Sequence, residues 1–236
     1  MAGIGWQDLG AFGFFVLAWT LYAQLADHER AGRNLARATH RHRLRWMRRM
    51  LDRDNRIFDS NLVGNLMRSV AFFASTTLII IGGVVAMLGS ADRVVAVVSQ
   101  LPFVAHVSQE LWELKILLLA TIFIYAFFKF TWSLRQFNYC SILMGAAPPP
   151  AAFADAAARE RSAVCLAALN SLAGDHFNRG LRAYYFGLAA LTWFIHPGLL
   201  VVLTGWVVLV LYRREFRSPA LDVLEAEAGG GDEPPS

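Results

Sequence analysis

Charge is scarce in this 236-residue chain: 17% of its residues are Asp, Glu, Lys or Arg, while 56% are hydrophobic. A water-soluble domain of this size needs more charge on its surface, so that class is set aside. Cysteine is scarcer still. Cys140 and Cys165 are the only two, they have no CxxC spacing, and they point to neither a disulfide framework nor a zinc site. The six histidines include no i, i+4 zinc-helix pair, and the glycines form no Walker or Rossmann pattern. An enzyme is therefore the weakest functional class, and neither a cofactor nor a metal is expected.

What is there is apolar and long. Leu9 to Leu25, Val70 to Leu88, Leu114 to Trp132, and Leu181 to Tyr212 are the stretches to weigh as membrane spans, since a crossing needs about 20 mostly apolar residues. The N-terminal segment lacks a basic n-region, carries Asp8, and has Trp19 and Tyr22 where small cleavage-site residues belong. It is read as a retained first span rather than a secretory signal. The fold class expected is all-α, a polytopic helical membrane protein.

Arginine sets the orientation. Ala26 to Arg68 holds eleven of the 22 basic residues against five acids, whereas Ser90 to Glu113 holds one Arg against three acids. The positive-inside rule then places the N-terminus outside and the first and third connections in the cytoplasm. The last run decides the remainder. As one helix its 32 residues reach about 48 Å and need a tilt of about 50° in a 30 Å core, beyond the usual range. That arrangement also leaves Arg213, Arg214 and Arg217 outside. Two shorter helices turning at His196-Pro197-Gly198 satisfy both length and charge. The expectation is five spans, about 8–25, 69–89, 111–134, 181–196 and 198–213, N-out and C-in, with four spans as the alternative.

One integral membrane domain, 1–218, accounts for nearly the whole chain. A basic cytoplasmic segment, 27–60, is expected to continue the first helix, since Asp27 to Asp52 contains no Pro and one Gly. Asp59 or Ser60 is the expected N-cap of the second membrane helix. The piece "RVVAVVSQLPFV" is too short to span and is placed at the outer interface. An Ala-rich helix is expected over about Asp155 to Leu172, and an acidic, Gly/Pro-rich disordered tail over 219–236.

Three segments, "RDNRIFDSNLVGNLMRSVAFFASTTLII", "FNRGLRAYYF" and "LYRREFRS", together resemble the bacterial membrane proteins grouped as the domain of unknown function 599 family. The resemblance covers roughly Gly10 to Ser218. It implies a multi-span protein of the bacterial cytoplasmic (inner) membrane, and it carries over no catalytic residues.

Several constellations merit weighing. Asn61, Asn65 and Arg68 share one face of the second membrane helix, which continues through Phe72 to Ser75 and Thr76. Thr121, Tyr125, Lys129, Trp132 and Gln136 share a face of the third. Asn61, Asn65, Arg68, Thr121, Tyr125, Lys129 and Gln136 are the candidate lining of a hydrated pathway, against the simpler reading of caps and interhelical hydrogen bonds. Lys129, read as the lysine embedded in an apolar run, either snorkels to the inner interface or faces an ion. The small residues Ala71, Ser75, Gly82 and Ala86 form a close-packing seam, within one chain or between protomers. Arg41, Arg43, Arg45, Arg48 and Arg49 surround a stripe of Leu44, Met47 and Leu51, a candidate site for anionic lipid headgroups on the cytoplasmic side. No nucleic-acid fold or aromatic platform accompanies them. "DRDNRIFDSNLV" lacks the central Gly and closing Glu of a calcium loop. Ser171, Asp175 and His176 do not form a triad, because neighbours 175 and 176 diverge by about 100° on a helix.

The functional expectation is a homo-oligomeric channel or transporter for a small ion or solute. The alternative is a non-transporting scaffold or regulatory protein that engages lipid or a partner through its basic helix.

Overall fold

The computed structural model describes residues 5–28, 34–89 and 108–230. These residues are helical almost throughout, with no strand among them. We number the helices α1 (Trp6–His28), α2 (Leu35–Leu51), α3 (Ile57–Leu88), α4 (Gln109–Ala146), α5 (Ala156–Leu191), α6 (Pro197–Phe216) and α7 (Pro219–Gly230). Three helical segments, Trp6–Asp27, Ile57–Leu88 and Gln109–Ala146, are long and apolar enough to cross a membrane. The outer-interface piece 93–104 lies outside the described residues.

The chain divides into two compact units. The first takes residues 1–28, 74–128 and 179–212, and the second takes 29–73, 129–178 and 213–236.

In the first unit the burial pattern selects one stripe of each helix. On α6, Pro197, Leu200, Thr204, Val207 and Leu211 are buried at alternating spacings of three and four, the seam of a helix packed on one side. Val202, Trp206, Leu209 and Val210 on the other side are exposed. On α1, Ala11, Phe15 and Tyr22 are buried while Leu9, Leu17 and Leu21 are exposed. Broad exposed apolar faces of this kind are costly against water and suit hydrocarbon. Phe186 of α5 stacks on Trp19 at 5.2 Å and meets Phe15 edge-on at 5.8 Å. Gly187 lets α5 approach α4, for a Cβ there would stand 3.0 Å from the Phe123 ring.

The long apolar run does break where the Pro-Gly signal lies. A 3-10 turn spans Thr192–Phe194, and α6 starts at Pro197. His196 caps the new helix, its Nδ1 accepting the Gly198 N–H at 2.9 Å, and Pro197 occupies the first helical position, where no N–H is needed. Lys115 donates to the Trp193 carbonyl at 2.9 Å, satisfying one of the acceptors a helix C-terminus leaves open. The second unit records the result of this break. Ser171 of α5 bonds His40, and Glu215 of α6 accepts the Ala36 N–H at 3.4 Å. Ala36 and His40 are one turn apart on α2, so the stretches of α5 and α6 that belong to this unit lie beside the same turn.

The second unit packs Met47, Met50 and Leu51 of α2 with Phe130, Phe137, Leu166 and Leu221, all buried. Ser133 donates to the Ala173 carbonyl at 2.7 Å, and Phe73, Phe130 and Phe177 cluster.

Several boundaries differ from the sequence reading. The first helix does not run on through the basic segment: Asn34 caps a new helix, its side-chain carbonyl accepting the Arg37 N–H at 2.7 Å. Neither Asp59 nor Ser60 is the cap of α3. That helix begins at Ile57, whose N–H bonds Asn55, while Asp59 is buried in the first turn. The segments 155–172 and 181–196 are not separate elements, because α5 runs unbroken from Ala156 to Leu191 with Asp155 capping it. Nor is 219–236 wholly disordered. Residues 219–230 form α7, which starts with Ser218 accepting the Leu221 N–H and with Pro219 at its first position, and which buries Leu221 completely.

Candidate functional site

Two clusters of charged side chains in the first unit lie at the two ends of α1. At its N-terminal end, Asp8 accepts the Trp193 indole N–H at 2.8 Å and lies 3.9 Å from the Lys115 ammonium. Lys115 is 2% exposed and stands 5.2 Å from the centre of the Trp193 ring, which Phe12 stacks against. A buried ammonium needs such partners, and here it has a carbonyl, a ring face and a nearby carboxylate. Its position makes Lys115 a second lysine within the apolar helix, alongside the one singled out from sequence.

At the C-terminal end, Asp27 pairs with Arg179 at 3.0 Å and with Arg182 at 3.3 Å. These three line a small cleft with Trp19, Tyr22, Tyr125 and Phe186. Asp8 and Asp27 are 19 residues apart, about 28 Å of helix, close to the thickness of a hydrocarbon core. Arg179 and Arg182 belong to "FNRGLRAYYF", and what sequence could not supply was their partner on α1.

The second unit carries two further clusters. Beside α2, a cavity of about 230 Å³ is lined by Ala36, Arg37, His40, Ser171 and Asp175. His40 Nδ1 and Ser171 Oγ are 2.8 Å apart, so the histidine that reaches Ser171 is His40, while His176 packs edge-on to Trp132. Arg43 lies over Gly174, where a Cβ would meet its guanidinium. Burial pushes the Arg43 guanidinium below its ordinary pKa, and Asp175 pulls it back up. Asp175 thus serves Arg43 electrostatically, and the cluster is not arranged as a hydrolase triad, which needs the carboxylate on the histidine.

The other cluster is a charge ladder from α2 to α7 and to the start of α5. Arg41 faces Glu225 at 3.6 Å, Arg45 faces Glu227 at 3.8 Å, and His42 Nε2 reaches the Leu224 carbonyl at 2.8 Å. Arg48 forks onto Glu160 at 2.6 Å, and Arg159 pairs with Asp52. Arg53 and the Trp46 indole both donate to buried Asp59 at 2.7 Å.

Of the candidate lipid-binding residues, then, Arg41, Arg45 and Arg48 face acids of their own chain, Arg43 is turned inward, and Arg49 is exposed. The apolar stripe expected to enter a bilayer is the packed side of α2: Met47 and Leu51 are fully buried.

The candidate pathway residues fall in both units, Asn61, Asn65, Arg68, Lys129 and Gln136 in the second and Thr121 and Tyr125 in the first. Asn61, Asn65 and Arg68 are exposed, and Arg68 bonds Asn65 on its own helix. Thr121 is exposed and returns its hydroxyl to the Leu117 carbonyl at 2.8 Å. Tyr125 lies beside the Asp27 cleft, Lys129 is half-buried, and Gln136 is buried. Ser75, Gly82 and Ala86 of the small-residue seam are exposed, and a Cβ at Gly82 would meet nothing among the described residues.

No curated protein and no solved structure matches the chain. Residues 10–220 match the family model described as protein of unknown function, DUF599, and with nearly its whole length covered the chain belongs to that family.

Proposed function

We propose that this is a multi-pass protein of the cytoplasmic (inner) membrane that acts as a non-conducting scaffold or regulator. It has five crossings, the N-terminus outside and the C-terminus inside. The observation that supports this best is the interior of the first unit. Among the described residues, Phe15, Ile116, Leu119, Ile122, Ala126 and Phe186 are buried there at 0–1% exposure. The buried polar groups described there are few, Thr77 bonded to Tyr184 and Thr204 on α6, and two hydroxyls do not replace the hydration an ion loses, a cost of several kcal/mol or more. The break at 192–196 and the return of α6 to α2 support two crossings for the last run. The second unit is the cytoplasmic face, and it engages an anionic lipid surface or an acidic partner rather than catalysing a reaction. It does so through the exposed arginines of α2, Arg41, Arg48 and Arg49, in competition with the chain's own Glu225 and Glu160.

Purified protein in liposomes tests the reading. Leakage of small cations and anions equal to that of empty liposomes is expected. Ion flux that Lys129→Glu alters in selectivity overturns it.

A second reading rests on a separate observation. Among the described residues, Asn61, Asn65, Arg68, Ser75 and Gly82 of α3 are exposed, and a homo-oligomer is an arrangement that encloses them and forms a shared conduit. A Gly82→Cys variant, with Cys140 and Cys165 replaced by Ala, cross-links between protomers in membranes if α3 is that contact. Absence of cross-linking, with the protein folded, removes this reading.

A further inference from the structure

The cleft at the C-terminal end of α1 holds two guanidinium groups and one carboxylate. Among the described residues, Arg179 and Arg182 each give one hydrogen bond, both to Asp27, and a guanidinium carries five N–H donors. Among the described residues the cleft therefore keeps a surplus positive charge and most of its donors unspent. Its cavity measures about 40 Å³ and is walled by Trp19, Tyr22, Tyr125 and Phe186. At about 10–15 Å³ per enclosed water, that is space for about three or four waters. A phosphoryl group's oxygens fit such a space, whereas a sugar or a base does not.

We propose that this cleft is an oxyanion site that takes one phosphate group, held by Arg179 and Arg182. The planar fork of arginine matches phosphate oxygens in pairs. Asp27 holds the two guanidinium groups in register, and its own charge restricts the ligand to low net charge. A lipid phosphodiester and free inorganic phosphate share this chemistry. The lipid is the better fit, because Arg182 stands at the start of the apolar run and the aromatic wall is that of an interfacial belt. The site is independent of whether the protein conducts.

The test is native mass spectrometry of the full chain in detergent with phosphatidylglycerol, phosphatidylcholine or diacylglycerol, beside calorimetry with inorganic phosphate. Phosphatidylglycerol is retained over diacylglycerol, and Arg179→Gln or Arg182→Gln weakens it about ten- to a hundredfold. Arg182→Lys, which keeps the charge, weakens it less. Asp27→Asn binds as well as the parent or better, because it removes the competing carboxylate. A merely structural ion pair makes the opposite demand: Asp27→Asn and Arg182→Gln then fall together. If Arg182→Gln does not fold, Arg182→Lys and Asp27→Asn still separate the two. Phosphate binding with the same variant pattern but no lipid preference supports the site with a free anion as its occupant. Retention of neither, or equal loss in Asp27→Asn and the arginine variants, overturns it.

Discussion

In the first unit two ion-pair clusters occupy the ends of α1, Lys115 with Asp8 and Trp193, Asp27 with Arg179 and Arg182, and the described side chains buried between them are mainly aromatic and aliphatic. In the second unit, acid–base pairs run along the length of α2, from Arg41–Glu225 to Arg48–Glu160, over a separate apolar core. The same side-chain chemistry is thus spent differently. Where the surroundings are apolar, a charge is tolerated only at an end and with fixed partners. Where they are aqueous, many exposed pairs each contribute little and together choose which helix lies on which. The contrast predicts deep, salt-independent losses from substitutions in the first unit and shallow, salt-sensitive ones on the surface of the second.

The largest effect is expected at Phe186, which is fully buried among Phe15, Trp19 and Tyr22. Phe186→Ala should cost about 3–5 kcal/mol in denaturant unfolding of the micelle-bound protein, the range for removing a buried aromatic. A loss below about 1 kcal/mol means that the site collapses or is not packed as described.

A smaller loss is expected at the one buried carboxylate of the second unit's α3. Asp59→Ala removes charge-assisted bonds from Arg53 and Trp46 and should cost about 1.5–3 kcal/mol. Trp46→Phe removes the neutral donor alone and should cost less. Equal losses from the two break the assignment of Arg53 as the stronger partner.

Weaker still is the ladder to α7. Glu225→Gln with Glu227→Gln should cost less than about 1 kcal/mol, seen as faster proteolysis after residue 218. Raising salt should reproduce the effect in the parent, because exposed pairs are screened within about 8 Å at physiological ionic strength. Salt-independent proteolysis would place the hold on Leu221 instead.

The smallest effect concerns Glu160. Hydrogen bonds from Arg48 hold its carboxyl below the ordinary carboxylate pKa. A lowered value means the pairing is intact above the unfolded pKa and is lost as pH falls through the folded one. Arg48→Ala should move the Glu160 titration upward, followed by carboxyl NMR, with no measurable change in unfolding at neutral pH.

The sequence made legible whatever depends on solvent. Apolar runs mark α1, α3 and α4, and the His-Pro-Gly signal marks the break before α6. Features set by a cap or by a distant partner were harder to read. Asn34 opens α2 inside a segment with no proline, and the Ser218-Pro219 pair starts α7 inside a tail whose composition suggests disorder. In α5 the helix continues from a polar into an apolar stretch, so hydropathy changes where the backbone does not. The site residues follow the same division. Arg179 and Arg182 lay within a recognisable segment, yet their meaning came from Asp27, far along the chain. Lys115 was overlooked beside Lys129 because its partners, Asp8 and the Trp193 carbonyl, belong to other helices. The amphipathic pattern of α2 was read correctly as an apolar stripe among arginines. What covers it, however, is this chain's own core and its acidic C-terminal helix.

Cysteine accessibility measures directly the proposed orientation, N-terminus outside and C-terminus inside. With Cys140 and Cys165 replaced by Ala, single cysteines are placed at four exposed positions, Trp6 and His196 in the first unit and Arg49 and Val223 in the second. A membrane-impermeant maleimide is then applied to intact cells. Labelling is expected at positions 6 and 196 in intact cells, and at 49 and 223 only after permeabilisation. Labelling of position 223 from outside, or of 196 only from inside, contradicts that orientation.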